Sequence, residues 1–193
     1  MKKKPLFILL VGNIGSGKST LCKSLAKKDY IIISRDVLRY MIGGGNYRFD
    51  PKMEPYIAEA HDAMLQCFLS GVSSGSPENL DIVVDEVNVQ ADRRQQLLNM
   101  VSDDDCARYI KVAIVLPQLS KKQSVDRRMR NEHGKFGRKV WEGVWDKFNT
   151  IYQDPYEEKG SGLDHVIFLK SAKDIKYVPT YLENIRKRHR KDD

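Results

Sequence analysis

The sequence has few cysteines and no long hydrophobic run, and both features narrow the classes of protein to consider. Cys22, Cys67 and Cys106 are odd in number and far apart, without the C-x-x-C spacing of zinc or redox sites. This usage argues against a disulfide-stabilised secreted domain and indicates reduced thiols in a cytoplasmic protein. No apolar stretch approaches the roughly 20 residues that a membrane-spanning helix needs. Internal repeats are also lacking, so we expect one domain over residues 1–193 without membrane contact.

Acidic residues are the minority among the charged side chains. Lysine and arginine number 33 against 26 aspartates and glutamates, which gives a net charge of +7 and a pI near 9.2. Positive charge is concentrated in residues 120–139 and in a basic C-terminal tail, residues 186–193. This balance favours a polyanionic partner such as nucleic acid, although the same charge also keeps a protein soluble.

The most informative stretch begins with an unbroken apolar run. Leu6–Val11 predicts a strand buried on both faces. The residues after it fit G-x-x-x-x-G-K-[ST], the phosphate-binding loop between a strand and a helix. Its glycines let backbone N–H groups approach the phosphates, its lysine reaches the β- and γ-phosphates, and its serine hydroxyl holds Mg²⁺. We therefore assign ATP binding to Gly12, Asn13, Ile14, Gly15, Ser16, Gly17, Lys18, Ser19 and Thr20.

Further apolar runs alternate with helical periodicity along the rest of the chain. They predict strands at residues 30–34, 80–84, 109–116 and 165–169. Helices are predicted at residues 56–69, 91–101 and 181–190, with another after the basic segment 120–139. Glycines and prolines predict loops at residues 41–55 and 70–79. This alternation indicates an α/β fold with a parallel sheet and helices on both faces.

Charged residues follow the second and third strands, at the edge where open α/β folds bind ligands. Asp36 is placed to accept a proton from a substrate hydroxyl during phosphoryl transfer. Arg39, one helical turn further, either contacts an acceptor phosphate or simply pairs with Asp36. Asp85 holds the position of a Mg²⁺-binding carboxylate, with a turn-capping aspartate as the alternative.

Basic residues supply the remaining candidates for substrate contact and catalysis. Tyr47 and Arg48 combine aromatic and basic character and suit contact with a base and a phosphate, as does Arg35 beside Asp36. The segment 120–139 is either a solvated basic helix face or a lid that closes over ATP. Its glycines favour the lid, in which Arg127 and Arg130 share one helical face and Arg128 points elsewhere.

These elements together resemble the kinase domain of phage polynucleotide 5′-hydroxyl kinases and related phage DNA-base kinases. The resemblance lies in the phosphate loop, the segment Ser34–Arg39, the segment Asp85–Asn88 with Arg93 and Arg94 downstream, and the arginine-rich residues 127–138, in that order. It implies a P-loop NTPase fold, a five-stranded parallel sheet under a helical lid. It implies that Lys18 and Ser19 bind ATP and Mg²⁺ and that Asp36 is the general base. It also implies that Arg39 contacts the phosphate of the acceptor, that Asp85 supports the site and that Arg130 is the lid arginine. Asn88, rather than Glu86, matches a polar residue of that family.

The function expected from this reading is an ATP-dependent kinase with a nucleic-acid acceptor. The accepting hydroxyl is a 5′ end of DNA or RNA, or a hydroxymethyl-pyrimidine base in DNA, with DNA favoured. A small-molecule kinase acting on a nucleoside or similar alcohol is the alternative, and a motor ATPase ranks third. ATP and Mg²⁺ are the expected cofactors, and the expected location is the cytoplasm, that of the host if a phage encodes the protein.

Overall fold

A computed structural model describes residues 4–70, 80–101, 109–130, 136–157 and 162–189. Five parallel strands form one sheet in the order β2-β3-β1-β4-β5. They are β1 (Leu6–Val11), β2 (Ile31–Ser34), β3 (Ile82–Asp85), β4 (Ile110–Val115) and β5 (His165–Phe168). The predicted five-stranded parallel sheet is therefore confirmed, with each strand within two residues of its predicted start.

The central strand explains why this sheet forms. All six residues of β1 are buried, and β1 pairs with β3 on one side and β4 on the other. A strand without polar alternation is stable only where both faces of the sheet are covered. Strands joined in parallel need crossover connections, which place helices on those faces.

Helices cover both faces of the sheet, as predicted. They are α1 (Lys18–Ala26), α2 (Arg35–Ile42), α3 (Glu54–Leu69), α4 (Ala91–Leu98), α5 (Lys121–Arg130), α6 (Arg138–Thr150) and α7 (Val178–His189), with 3₁₀ turns at Pro155–Glu157 and Ala172–Tyr177. Helices α1 and α7 pack on the face of β1 that carries Ile8, whereas α3 and α4 pack on the face that carries Phe7. Alternate residues of β1 thus pack into the hydrophobic cores on opposite faces of the sheet.

Helix starts account for the main local differences from the sequence-based expectation. Helix α3 begins at Glu54 rather than Tyr56, and α7 begins at Val178 rather than Tyr181. Each has a proline within its first two residues, at positions 55 and 179. The first turn of a helix tolerates proline because its N–H groups have no partner inside the helix. Proline therefore marks these helix starts rather than the ends of loops.

The basic segment forms a helical cover over the phosphate loop. Helices α5 and α6 pack together, and Val125 and Trp141 bury Ile14 of the loop between them. The described part of residues 120–139 is therefore helical and covers the loop, while its closing over ATP as a lid stays a prediction. Residues 131–135 of that segment, residues 71–79 of the predicted loop 70–79 and the end of the basic tail at 190–193 lie outside the described residues. Among the described helices, none is both long and apolar enough to cross a membrane.

Candidate active site

The phosphate loop joins β1 to α1 through glycines in conformations that other residues rarely adopt. Gly15 and Gly17 have φ angles of +68° and +112°, and Gly17 caps the N-terminus of α1. A Cβ atom on Gly15 would lie 2.5 Å from the carbonyl oxygen of Ser124 in the lid. Glycine is needed at this position both for its backbone angle and for the close approach of α5.

Side chains of the loop hold it in shape. Lys18 Nζ donates hydrogen bonds to the carbonyl oxygens of Gly12 at 2.7 Å and Asn13 at 2.9 Å. The Asn13 side chain in turn accepts from the Ile14 N–H at 2.7 Å and donates to the Trp145 carbonyl at 2.9 Å. The loop is thereby tied to α6 as well as to α5.

The remaining loop residues differ in exposure. Ser16 is buried, and its hydroxyl has no hydrogen-bond partner among the described residues. Ser19 and Thr20 are exposed in the first turn of α1. The hydroxyl of Ser19 is therefore accessible at the helix N-terminus, where anions and their counterions bind.

Asp85 ends β3 beside Ser34, its register partner at the end of β2. Burial raises the pKa of Asp85, the positive charge of Lys18 lowers it, and Asp36 raises it further, with a net upward shift. Burial also lowers the pKa of Lys18, against the opposing effects of Asp85 and Asp36. Three ionisable groups from three elements therefore interact at the carboxyl edge of the sheet. A carboxylate and a hydroxyl are oxygen donors of the kind that Mg²⁺ prefers, so Asp85 and Ser19 fit such an ion.

The Asp36 carboxylate lies where α2, the following loop and the lid meet. It accepts hydrogen bonds from Arg39 at 2.6 Å and from the Tyr47 hydroxyl at 3.1 Å. Its second oxygen lies 3.6 Å from the Arg128 guanidinium of α5. Burial, together with the Asp36 charge, raises the pKa of Tyr47 to about 12, so Tyr47 is a hydrogen-bond donor at neutral pH.

The substrate-binding candidates around Asp36 occupy different environments. Arg39 pairs with Asp36, as one of the two sequence-based interpretations expects, and also with Glu54 of α3. Tyr47 is bound to Asp36 and packs edge-on against Tyr40. Arg48 is exposed, and its guanidinium lies 3.9 Å from the Asp50 carboxylate. Contact of Arg39, Tyr47 and Arg48 with an acceptor stays a prediction.

The lid arginines of α5 lie in different environments, and the catalytic roles predicted for Arg127 and Arg130 stay predictions. Arg128, expected to point elsewhere, is the one that faces Asp36, and its guanidinium lies 4.5 Å from the ring centre of Trp141. Arg127 and Arg130 are both exposed, and Arg127 donates a hydrogen bond to the Gly15 carbonyl at 3.3 Å. Arg128 follows the buried Ser124 by four residues and therefore lies on the same face of α5, but the burial of that serine is seen only in the structure.

Asn88 is buried rather than presented to a substrate. It is 1% exposed, has a φ angle of +45°, and its side-chain amide donates to the Leu10 carbonyl at 3.0 Å. Its own backbone carbonyl accepts a hydrogen bond from the buried Arg94 at 2.7 Å. This position favours a structural role at the end of the sheet over the predicted contact with an acceptor.

A second charged cluster, absent from the sequence-based analysis, lies beside the site. Glu86 is contacted by Arg35 at 2.6 Å, Arg93 at 3.1 Å and His61 at 3.3 Å, and Arg93 also binds Asp62. Ligand atoms of His61, Asp62 and Glu86 lie within 4.8 Å of one another. Two guanidinium groups already balance these carboxylates, which favours a structural cluster over a metal site. Arg35 therefore points to Glu86, and its contact with a substrate stays a prediction.

Comparisons with known proteins bear on the fold and the family of this chain. A search of curated proteins finds no match. Among solved structures, a fungal RNA kinase superposes with a TM-score of 0.63 at 17% identity, covering 92% of this chain and 85% of the other. Kti12 from Chaetomium thermophilum, solved with ADP-AlF3, gives a TM-score of 0.60 at 17% identity, covering 94% of this chain and 99% of the other.

A gluconokinase from Sinorhizobium meliloti 1021 gives a TM-score of 0.56 at 15% identity, with 100% of this chain and 99% of the other covered. At these identities the three structures establish a shared fold. A family model described as an AAA domain matches residues 7–155, well over half of the chain, including the phosphate loop and both lid helices. The chain therefore belongs to this AAA domain family, AAA_33.

Proposed function

We propose that this protein is a kinase that transfers the γ-phosphoryl group of ATP to a hydroxyl group on a nucleic acid. One observation carries the proposal. The Asp36 carboxylate faces the lid residue Arg128 and interacts electrostatically with Lys18 of the phosphate loop. A carboxylate beside a phosphate-binding loop is suited to accept the proton of an attacking hydroxyl.

In this mechanism Asp36 takes the proton from the acceptor hydroxyl while the hydroxyl oxygen attacks the γ-phosphorus. A new P–O bond forms to the acceptor, and the bond between the γ-phosphorus and the bridging oxygen of ADP breaks. Lys18 and Arg128 would contribute positive charge near the transferring group, where negative charge is spread over the phosphoryl oxygens. Arg39 holds Asp36 in place through its 2.6 Å hydrogen bond.

The nucleotide and metal ion are assigned to the phosphate loop side. Gly12 to Thr20 would surround the phosphates with backbone N–H groups at the N-terminus of α1. Ser19 and Asp85 would hold Mg²⁺, which neutralises phosphate charge when it is bound. Burial raises the pKa of Asp85, and a bound cation would offset that effect and favour the charged form of this carboxylate.

Nucleic acid is the acceptor class that the net charge of +7 supports best. The superposition with a fungal RNA kinase is consistent with this class, and it makes RNA as reasonable an acceptor as DNA. A small-molecule alcohol is the second candidate, because the gluconokinase matches this chain over its full length.

A transfer assay separates these acceptors. The protein is incubated with γ-labelled ATP and, in parallel, with 5′-hydroxyl DNA, 5′-hydroxyl RNA, hydroxymethyl-pyrimidine duplexes, free nucleosides and gluconate. We expect label on an oligonucleotide. Transfer to free nucleosides or gluconate alone would replace nucleic acid by the small-molecule alternative.

Asp36→Asn tests the general base. We expect transfer to fall by about 10²- to 10⁴-fold, since general base catalysis contributes that much, while ATP affinity is retained. Asp92→Asn, on the exposed surface of α4, is the matched control and should transfer normally. Transfer by Asp36→Asn at the control's rate would remove Asp36 from the mechanism.

A further inference from the structure

We propose that Glu54, the first residue of α3, is a positioning residue that acts through Arg39 on the catalytic carboxylate Asp36. This inference rests on the proposed function, because it concerns the same site. Glu54 lies 15 residues from Arg39 in sequence and on a different helix, so no local pattern joins the two.

The contact between Glu54 and Arg39 fixes the plane of the guanidinium. Arg39 Nε donates to one carboxylate oxygen of Glu54 at 2.9 Å, and Nη2 donates to the other at 2.6 Å. Two parallel hydrogen bonds between a guanidinium and a carboxylate set orientation as well as distance. The third guanidinium nitrogen, Nη1, is thereby directed at Asp36, to which it donates at 2.6 Å.

The surroundings strengthen this arrangement. The side chains of Arg39 and Glu54 are 13% and 25% exposed, and the Phe49 ring centre lies 5.9 Å from the Arg39 guanidinium. Burial alone would lower the pKa of Arg39, but its hydrogen bonds to Glu54 and the charge of Asp36 raise it above the usual value. Partial exclusion of water makes such pairs stronger than ion pairs on an open surface.

Sharing one guanidinium between two carboxylates has a consequence for catalysis. With Glu54 present, Arg39 gives Asp36 a single hydrogen bond and keeps two bonds for Glu54. Without the Glu54 charge, Asp36 is the remaining carboxylate contact of Arg39 in the described residues, so the guanidinium can turn and bind it more fully. A carboxylate bound in that way is a poorer proton acceptor and is no longer aimed at the acceptor hydroxyl.

Glu54→Gln keeps the shape of the side chain and removes its charge. We expect kcat for transfer to the best acceptor to fall by about tenfold, the scale of one charge-assisted hydrogen bond. KM for ATP should stay within about twofold of the wild-type value, because the phosphate loop is unchanged. Glu59→Gln, an exposed residue on the same helix, is the matched control and should behave as wild type.

A double-mutant cycle distinguishes positioning through Arg39 from a general role in stability. In an Arg39→Ala background, Glu54→Gln should change kcat by less than about twofold, because the residue it acts through is missing. A tenfold loss that persists in that background would overturn the proposal. Unfolding midpoints of every variant are measured in parallel.

Glu54→Asp covers the case in which Glu54→Gln unfolds at the assay temperature. It keeps the charge and shortens the side chain by one methylene, so we expect activity between those of wild type and an Arg39→Ala variant. Wild-type transfer in both Glu54 variants would overturn the inference and leave the proposed kinase activity in place. If the wild-type protein transfers label to no hydroxyl at all, the proposed function fails and the inference fails with it.

Discussion

The two sides of the candidate active site are built in different ways. The phosphate side consists of nine consecutive residues, Gly12 to Thr20, whose backbone forms the binding surface. The acceptor side is assembled from the side chains of Asp36, Tyr47, Glu54 and Arg128, which come from α2, the loop after it, α3 and α5. A backbone site can be recognised from one short motif, whereas a side-chain site depends on how distant segments pack.

Their electrostatics differ as well. On the phosphate side, burial lowers the pKa of Lys18 and raises the pKa of Asp85, and both shifts favour the neutral form. On the acceptor side, ion pairs with Glu54 and Asp36 stabilise the charged form of Arg39 despite burial. The first arrangement gains most from a bound phosphate and metal ion, which supply opposite charge. The second is already balanced by the protein and serves to orient groups.

Among variants outside the proposed general base, Gly15→Ala should have the largest effect, because it damages the phosphate side and its contact with the lid together. The new Cβ would lie 2.5 Å from the Ser124 carbonyl oxygen in a backbone with φ +68°. We expect transfer to fall by about a hundredfold or more, since displacement of about 1 Å at a reacting centre has that effect. Rapid-quench or filter-based transfer assays measure it.

Gly44→Ala is the matched control for Gly15→Ala. Gly44 has a similar φ of +61°, but a Cβ there meets no described atom within 4 Å. Both substitutions therefore introduce the same kind of backbone strain, and only Gly15→Ala adds a steric clash. Equal losses of transfer in the two variants would contradict the importance of the contact between loop and lid.

Arg128→Ala should have the next largest effect. It removes the lid side chain that faces Asp36 and leaves the phosphate loop unchanged. We expect transfer to fall about 30-fold, equivalent to about 2 kcal/mol for a hydrogen bond to a charged group. Arg130→Ala, at an exposed position of the same helix, should change transfer by less than about twofold. If Arg130→Ala were the more damaging variant, the sequence-based choice of Arg130 would be right and the assignment of Arg128 wrong.

Asn88→Ala should have the smallest effect on transfer and act on stability. It removes the hydrogen bond to the Leu10 carbonyl and places alanine at a φ of +45°. We expect the free energy of unfolding to fall by about 1–3 kcal/mol, with ATP affinity within about threefold of wild type. Chemical denaturation and calorimetric titration measure the two quantities.

Asn149→Ala, at an exposed position of α6, is the control for Asn88→Ala and should leave the free energy of unfolding nearly unchanged. A loss of transfer without a loss of stability in Asn88→Ala would restore Asn88 as a substrate-binding residue. Asn88, at the edge of the sheet, would then belong to the acceptor side of the site.

Some elements of the site could be identified from the sequence because their signal is local. The apolar run Leu6–Val11 and the glycine spacing after it predict strand, loop and helix correctly. Asp36 and Asp85 could be placed at the sheet edge because each lies at or just after the end of a strand in sequence. Arg128 and Glu54 could not be placed in this way, since their importance depends on contacts with Asp36 and Arg39 that join separate helices.

Two residues that the sequence analysis assigned to the substrate have partners within the protein. Asn88 and Arg35 are polar and lie next to candidate catalytic residues, so the sequence alone favours substrate contact. Tertiary packing instead directs Asn88 to the Leu10 carbonyl and Arg35 to Glu86. A polar side chain near a sheet edge must find a partner when it is buried, and a partner within the protein is as satisfactory as a ligand.

The sequence by itself determined the order of strands and helices and the phosphate-binding loop, because hydrophobic periodicity and backbone angles are properties of neighbouring residues. The tertiary structure decided which side chains surround the Asp36 carboxylate. Ion pairs between distant segments depend on the packing of α2, α3 and α5 around the sheet edge, and that packing brings Glu54, Arg39, Asp36 and Arg128 into one chain of alternating charge.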